Sequence, residues 1–296
     1  MHNRVLLFVN PISGKGKSRA IAVALARRAA EIGVVAVTLE PESAISVTDD
    51  LQNTLGKSDF DAIVAVGGDG LVHNAIQVIA TTSTALYVVP AGTGNDFARS
   101  NELLATDAAQ ILDRIYGKNA SLVDAGRIRT KSGDRWFGQI LSTGFDDQVN
   151  QRANRNRLIN GKMKYNVATI FELPKFKTIN YEIEADGVSR KFSAMLVAVA
   201  NGSSYGGGMK LSPMADRSDG FLDVMILHPV SKIELLKVFP KVYSGSHINH
   251  PAVEFIRVKK IKITANTIAY ADGERIGNLP IEIELVPSAL RTWIAE

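Results

Sequence analysis

The sequence predicts a two-part chain of class α/β plus β, with an N-terminal Rossmann-like domain on a parallel sheet followed by a mostly antiparallel β domain. Three observations carry this. Over about the first 120 residues, short β-branched runs alternate with longer helical patterns, as successive βα units would produce. The run Ala62-Ile63-Val64-Ala65-Val66 is apolar without interruption, as a strand covered by helices on both faces should be. From Ser121 onward, strand signals broken by turns replace that alternation. At 296 residues and 46% hydrophobic, the chain can bury a large core, and its length suits two domains better than one.

In chain order, strands are expected at residues 5–9, 34–39, 62–66 and 86–89 and helices at 18–32, 44–55 and 71–80, with Gly33 capping the first helix. A helix over 107–116, stopped by Gly117, closes this part. The second part has strand signals at 122–129 and 136–141, separated by Lys131-Ser132-Gly133-Asp134, and at 181–185 before Asp186-Gly187. Further strands are expected at 260–264, 268–270 and 281–286, with a hairpin turn at Asp272-Gly273. Two helices interrupt the strands, over 147–173 and 232–244. The border between the parts falls near residues 122–126.

Charge and composition narrow the function classes. The 34 basic residues barely exceed the 30 acidic ones, a formal charge of +4 that argues against a nucleic-acid partner. The balance suits anionic small substrates or anionic membrane surfaces. With no cysteine there is neither a disulfide framework nor thiolate chemistry, which is consistent with a cytoplasmic location. The apolar start at residues 5–9 is too short for an export signal and runs into Asn10-Pro11. No stretch of about 18 apolar residues appears, so no membrane span is expected.

Three glycine-rich loops each follow a strand and lead toward a helix. They are Asn10-Pro11-Ile12-Ser13-Gly14-Lys15-Gly16-Lys17-Ser18, Gly67-Gly68-Asp69-Gly70, and Pro90-Ala91-Gly92-Thr93-Gly94-Asn95-Asp96. In an open α/β sheet such loops form the ligand crevice, and helix N-termini there favour phosphate. Gly16-Lys17-Ser18 imitates the end of a Walker A motif, but Pro11 stands where its first glycine belongs. A dinucleotide fingerprint fails as well, because Arg19, His73 and Phe97 replace its third glycine. For a single loop, a tight turn with Asp69 capping the next helix would be the better reading. Three such loops at one sheet edge favour phosphate binding, with Asp69 holding a magnesium ion directly or through water.

These loops, followed by Asn74 in the second case and by Phe97-Ala98-Arg99 in the third, resemble the diacylglycerol kinase catalytic-domain family, in particular the bacterial soluble lipid kinases. The resemblance continues through Asp124-Ala125-Gly126, Ser142-Thr143-Gly144-Phe145-Asp146, Asn201-Gly202 to Gly206-Gly207-Gly208, Asp219-Gly220-Phe221-Leu222-Asp223 and Asp272-Gly273-Glu274, so that it covers essentially the whole chain. It implies a nucleotide-binding domain over 1–122, rejoined by 287–296, and a β-sandwich over 123–286. It further implies a lipid kinase that uses ATP and Mg²⁺ on a lipid alcohol, by default diacylglycerol, in phospholipid biosynthesis. Sphingoid bases and isoprenoid alcohols stay open as acceptors, and so do a homodimer and a transient peripheral membrane contact. NAD kinase shares the double-glycine aspartate loop; against it, Gly92-Thr93-Gly94-Asn95-Asp96-Phe97 follows the lipid-kinase version of the next loop. A nucleotide-binding regulator without catalysis is the alternative from another class.

By the same resemblance, Asn10, Pro11, Ile12, Ser13, Gly14, Thr38, Val66, Gly67, Gly68, Asp69, Gly70, Leu71, Val72 and Thr93 line the ATP site. The match at Thr38 rests on its spacing to Glu40-Pro41-Glu42-Ser43-Ala44. Glu274 is implied as the general base toward the acceptor hydroxyl, with Asp69, Asp124 and Asp272 in the metal and charge network. From the residues alone, Glu274 is the solvated neighbour of an ordinary hairpin turn. Asp216, Asp219 and the carbonyl of Phe221 match a structural magnesium site of the family, against the plain reading of a polar turn. The basic stretch Arg152, Arg155, Arg157, Lys162, Lys164, Lys175 and Lys177 could face anionic lipid, although a solvated helix face is the commoner meaning of such a run. The five histidines show no metal-ligand spacing, and His73 reads as packing or capping.

Overall fold

The protein, a computed structural model, is described over residues 3–41, 43, 45–130, 133–144 and 177–294. The expected helix at 147–173, Lys131, Ser132, Phe145, Asp146, Glu42, Ala44 and the basic residues from Arg152 to Lys175 lie outside the described residues. The chain divides into two units, one of Met1–Val123 with Ser288–Glu296 and one of Asp124–Pro287.

In the first unit, β1 (Arg4–Val9), β2 (Val35–Leu39), β3 (Ala62–Gly67) and β4 (Ala85–Pro90) form a parallel sheet in the order β2-β1-β3-β4. At the end of the chain, Arg291 and Thr292 add a parallel pairing beside Ala85 and Leu86 of β4. All of β3 is buried, which explains its uninterrupted apolar run: with helices on both faces there is no polar side to alternate with. The helices are α1 (Lys17–Glu31), α2 (Val47–Leu55), α3 (Asp69–Ile79), α4 (Asp96–Ser100) and α5 (Ala108–Gly117). In α1, Ala22, Leu25 and Ala29 recur on the buried face, and Gly33 follows the helix in the left-handed region (φ 75°) that it adopts without strain. The Asp107 carboxylate caps α5 by accepting from Gln110 N. Sequence reasoning did not anticipate α4, a helix of 5 residues whose start depends on Asn95 at φ 56°.

The second unit is a pair of sheets. One carries β8 (Ile179–Ala185), β9 (Val188–Ala194), β13 (Lys260–Thr264) and β16 (Ile281–Thr292) in the order β16-β13-β8-β9, with β5 (Ser121–Thr130) pairing both β16 and β6 (Gly133–Phe137). The other runs β12-β11-β10-β7-β14-β15, all antiparallel, from Val253–Val258, Leu222–Leu227, Leu196–Ala200, Ile140–Thr143, Ile268–Ala271 and Glu274–Asn278 respectively. Ile183, Ile261 and Ile283 of the first sheet pack with Val197, Val199, Val224 and Ile226 of the second in one core. On the opposite face of β10, Leu196, Ala198 and Ala200 join a second core with Leu235 of α6 (Lys232–Val238), Val242 of α7 (Lys241–Ser244) and Phe239 between those helices. That double burial is why β10 shows no alternation in the sequence.

Three expectations are corrected. The strand at 136–141 is two strands, β6 and β7, divided at Gly138-Gln139, whose N–H groups turn to the Asp272 carboxylate (2.8 and 3.0 Å). The helix at 232–244 breaks into α6 and α7 at Pro240, which has no N–H to continue the first. The strand at 281–286 runs on to Thr292. Both Asp-Gly pairs do form hairpin turns, with φ of 47° and 86° at Asp186 and Gly187 and 51° and 88° at Asp272 and Gly273. Among the described residues no helix is long and apolar enough to cross a membrane.

Gly126 pairs directly with Phe137, and a Cβ at Gly126 would fall 2.1 Å from that fully buried ring. Gly126→Ala should therefore lower stability by about 1–3 kcal/mol through overpacking. Thermal melting checks this; an unchanged midpoint would show that the ring can move aside.

Candidate active site

The three glycine loops of the first unit meet at the carboxyl ends of its parallel strands. In the first loop, Asn10 N donates to Val66 O (3.2 Å) and Ser13 N to Asn10 O (3.1 Å). The buried Ser18 hydroxyl donates to Asn10 O at 2.6 Å, so the serine of the Walker-like triplet tightens its own loop. A Cβ on Gly14 would stand 2.7 Å from Ala91 O, which puts the first loop against the third. The second and third loops touch backbone to backbone: a Cβ on Gly92 would lie 2.5 Å from the Gly68 Cα. Ala91 N and Gly92 N both donate to Gly67 O (2.9 and 3.1 Å). Asn95 then closes the third loop on itself, accepting from Gly92 N (3.0 Å) and donating to Gly92 O (2.8 Å).

Beside these loops runs an open groove of about 430 Å³, within the size range of small-molecule sites. Asn10, Pro11, Ile12, Ser13, Gly68, Gly70 and Leu71 line it, as do Pro41, Ser43, Val47 and Asn74, which the expected ATP-site residues did not include. Asn74 was legible as part of the second motif; the other three come from the turn after β2 and the start of α2, where the sequence carries no glycine signal. Gly14 and Thr93 stand on the loops outside this lining. Thr38 sits on β2 opposite Leu7, also outside it. Val66 and Val72 are buried in the unit's interior, so any part they take in binding passes through their backbone.

Asp69 opens α3, but Gly68 is the residue at the cap and makes no side-chain capping bond. The Asp69 carboxylate reaches instead to the start of α4, accepting from Asp96 N at 2.7 Å. Gly94 is required beside it, since a Cβ there would fall 2.3 Å from Asp69 Oδ2. Asp96 is also buried and acidic, and sequence reasoning quoted it in a motif without giving it a role. Burial first, and the neighbouring Asp96 charge second, push Asp69 up to about 7, against the pull of the α4 backbone N–H groups. Asp69 and Asp96 do not line the groove themselves; crowded together where the second and third loops meet, they form a pair whose repulsion a divalent cation would relieve.

In the second unit the expected residues fall into separate roles. The Asp272 carboxylate accepts from Gly138, Gln139 and Ile140 N (2.8, 3.0 and 3.1 Å), fastening the hairpin tip to the β6–β7 connection. Glu274, the first residue of β15, pairs with Ala271 through its backbone, while its side chain is exposed and makes no hydrogen bond or ion pair among the described residues. Asp124 is buried and accepts from Gly220 N at 3.0 Å, tying the loop before β11 to β5. Within that loop, Asp216 accepts from Ser218 N and Oγ (2.9 and 2.7 Å). Asp219 accepts from Phe221 N and pairs with Arg257, whose guanidinium lies 4.6 Å over the Phe221 ring. Among the described residues no group of three or more His, Cys, Asp or Glu could hold a metal. Arg257 already neutralises Asp219 and Asp216 is taken by Ser218, so the set Asp216, Asp219 and Phe221 is a poor fit to a magnesium ion.

Comparison with known proteins agrees with this architecture. Residues 4–128 match the diacylglycerol kinase catalytic domain, and residues 139–294 match the YegS C-terminal NAD kinase beta sandwich-like domain. The diacylglycerol kinase of Mycobacterium tuberculosis is 36% identical over 291 residues, covering 97% of this chain and 94% of its own. That of Bacillus subtilis is 28% identical over 229 residues, covering 76% and 74%. A solved structure of a diacylglycerol kinase from Bacillus anthracis str. Sterne shares the fold at a TM-score of 0.73 and 20% identity, covering 99% of this chain and 97% of that one. The matched family and the relatives so named thus define a lipid kinase. The chain belongs to the diacylglycerol kinase family, whose activity implies ATP and, usually, a divalent metal.

Gly92→Ala should weaken nucleotide binding by about tenfold or more, because the methyl drives the second and third loops apart; calorimetric titration with an ATP analogue reads this, and unchanged affinity would show that the contact is dispensable. The raised Asp69 also makes stability depend on pH. Its folded-state value of about 7 lies above the ordinary 3.8, so the folded protein binds the proton more tightly. The resulting destabilisation is absent below about pH 4 and complete above about pH 7. Asp69→Asn should remove that trend, making the nucleotide-free variant gain on the parent at about pH 8 relative to pH 5. Melting curves with the same pH trend in both proteins would contradict the assignment.

Proposed function

We propose that the protein transfers the γ-phosphoryl group of ATP to the hydroxyl of diacylglycerol, giving phosphatidic acid, with Mg²⁺ as the metal. The observation that carries the lipid acceptor is the family match, 36% identity over 97% of this chain to a relative named diacylglycerol kinase. In keeping with it, the second unit has a small cavity of about 60 Å³, room for about two water-sized groups as it stands, between the second sheet and the helices α6 and α7. Met195, Leu196, Met209, Met225, Leu235 and Phe239 contribute to its wall, whose accessible surface is apolar although Ser142, Tyr205 and His247 also border it. Such a surface suits hydrocarbon better than a polar acceptor such as NAD. Its methionines have the freedom to yield as a chain enters.

The residues of this chain divide the work. Backbone N–H groups of the first two loops and the N-terminus of α3 favour phosphate oxygens, and the loop glycines let the backbone approach them. When bound, Mg²⁺ would neutralise charge on the phosphates, and Asp69 with Asp96 would hold it, relieving their mutual repulsion. Glu274, exposed and uncommitted, would accept the proton of the acceptor hydroxyl, while Asp272 fixes the turn that presents it.

Purified protein given γ-labelled ATP and Mg²⁺, with diacylglycerol, sphingosine, undecaprenol and NAD in parallel, should place label in phosphatidic acid. Label in NADP alone would overturn the lipid assignment. In the same assay Glu274→Gln should lower kcat by about 10²–10⁴-fold while leaving ATP affinity intact. Full turnover in that variant would remove Glu274 from the mechanism.

A further inference from the structure

The pair α6–α7 has one committed face and one open one. Leu235, Val238, Phe239 and Val242 turn inward onto the apolar cavity. On the other side Ile233 is 69% and Leu236 is 41% exposed, three positions apart and therefore on the same helix face. Two apolar side chains on the roof of an apolar cavity differ from scattered surface residues, which need no explanation. Around them stand the exposed Lys232 and Lys237 of α6 and Lys241 of α7. Lys210, also exposed, is joined to α7 through its N–H to Val242 O at 3.0 Å. The acid within this frame, Glu234, is turned to His250 Nε2 at 3.2 Å. The face therefore presents apolar side chains inside a cationic rim.

We propose that this face docks on an anionic lipid bilayer, Ile233 and Leu236 entering the interface while Lys232, Lys237 and Lys241 meet the headgroups. Charge complementarity selects the partner: a cationic rim around apolar tips suits an anionic surface with an apolar interior. The placement assigns the contact to the roof of the cavity. It deepens the proposed function and rests on it in one respect, that a lipid acceptor has to pass from the bilayer into a cavity closed by this roof. Both helices are short and packed by one face, so a modest shift would open the space below.

The test is sedimentation of the full-length protein with vesicles, without ATP, so that its outcome is independent of acceptor identity. The protein should bind vesicles of phosphatidylcholine mixed with phosphatidylserine and bind phosphatidylcholine alone at least about tenfold more weakly. The double variant Ile233→Ser with Leu236→Ser, and the triple variant Lys232→Ser with Lys237→Ser and Lys241→Ser, should each lose about tenfold or more in binding to the mixed vesicles. Both should keep the parent melting temperature, since the altered side chains are exposed. Both should also keep activity on short-chain diacylglycerol dispersed in detergent, whereas failure of the kinase reading would abolish activity in parent and variants alike. Mixed vesicles bound as well by both variants as by the parent, as expected if this face serves a protein partner, would overturn the proposal.

Discussion

The site depends on the closeness of two backbones. Gly68 and Gly92 meet where no side chain fits, and that contact brings the second and third loops together at the strand ends. The rest follows from it. Asp69 is carried into the interior beside the start of α4, where its carboxylate takes the Asp96 N–H and meets the Asp96 charge. Asn95 holds the third loop closed from within, and Ser18 does the same for the first. The result is a buried acid held partly against its own ionisation where the second and third loops meet. Such an arrangement is electrostatically unfavourable in the free protein and suited to a cation and phosphate arriving together.

The second unit uses aspartate in a different way. In both Asp-Gly hairpins the two turn residues are left-handed, while the aspartate side chain collects backbone N–H groups from a neighbouring connection. Asp186 takes those of Lys259 and Lys260, and Asp272 takes those of Gly138, Gln139 and Ile140. Each carboxylate thereby fixes the register of a sheet at its rim. At Asp272 the same fastening fixes the base of the strand on which Glu274 is presented, a division of labour between a positioning acid and an exposed one.

Much of the fold was legible because local signals and burial agreed. The β1, β3 and β4 runs, the Gly33 stop and the helix end at Gly117 each follow from one residue type in one place. The strands that escaped notice include β10, β11 and β12, whose pattern is set by partners distant in sequence; β10, apolar at all of its positions, is uninformative by periodicity alone. The break at Gly138-Gln139 is invisible locally because its cause is Asp272, more than a hundred residues away. At the site, the glycine motifs pointed to the loops, yet Pro41, Ser43 and Val47 carry no motif and enter the groove only through the folding of the chain after β2. The pairing of Asp219 with Arg257 was hidden for the same reason.

The most direct measurement is a crystal structure of the protein with Mg²⁺ and a non-hydrolysable ATP analogue. The account predicts the triphosphate within hydrogen-bonding reach of backbone N–H groups in the Asn10–Gly14 and Gly67–Gly70 loops, with the metal at Asp69. A nucleotide seated elsewhere, with those loops untouched and Asp69 still bound only to the start of α4, would contradict it.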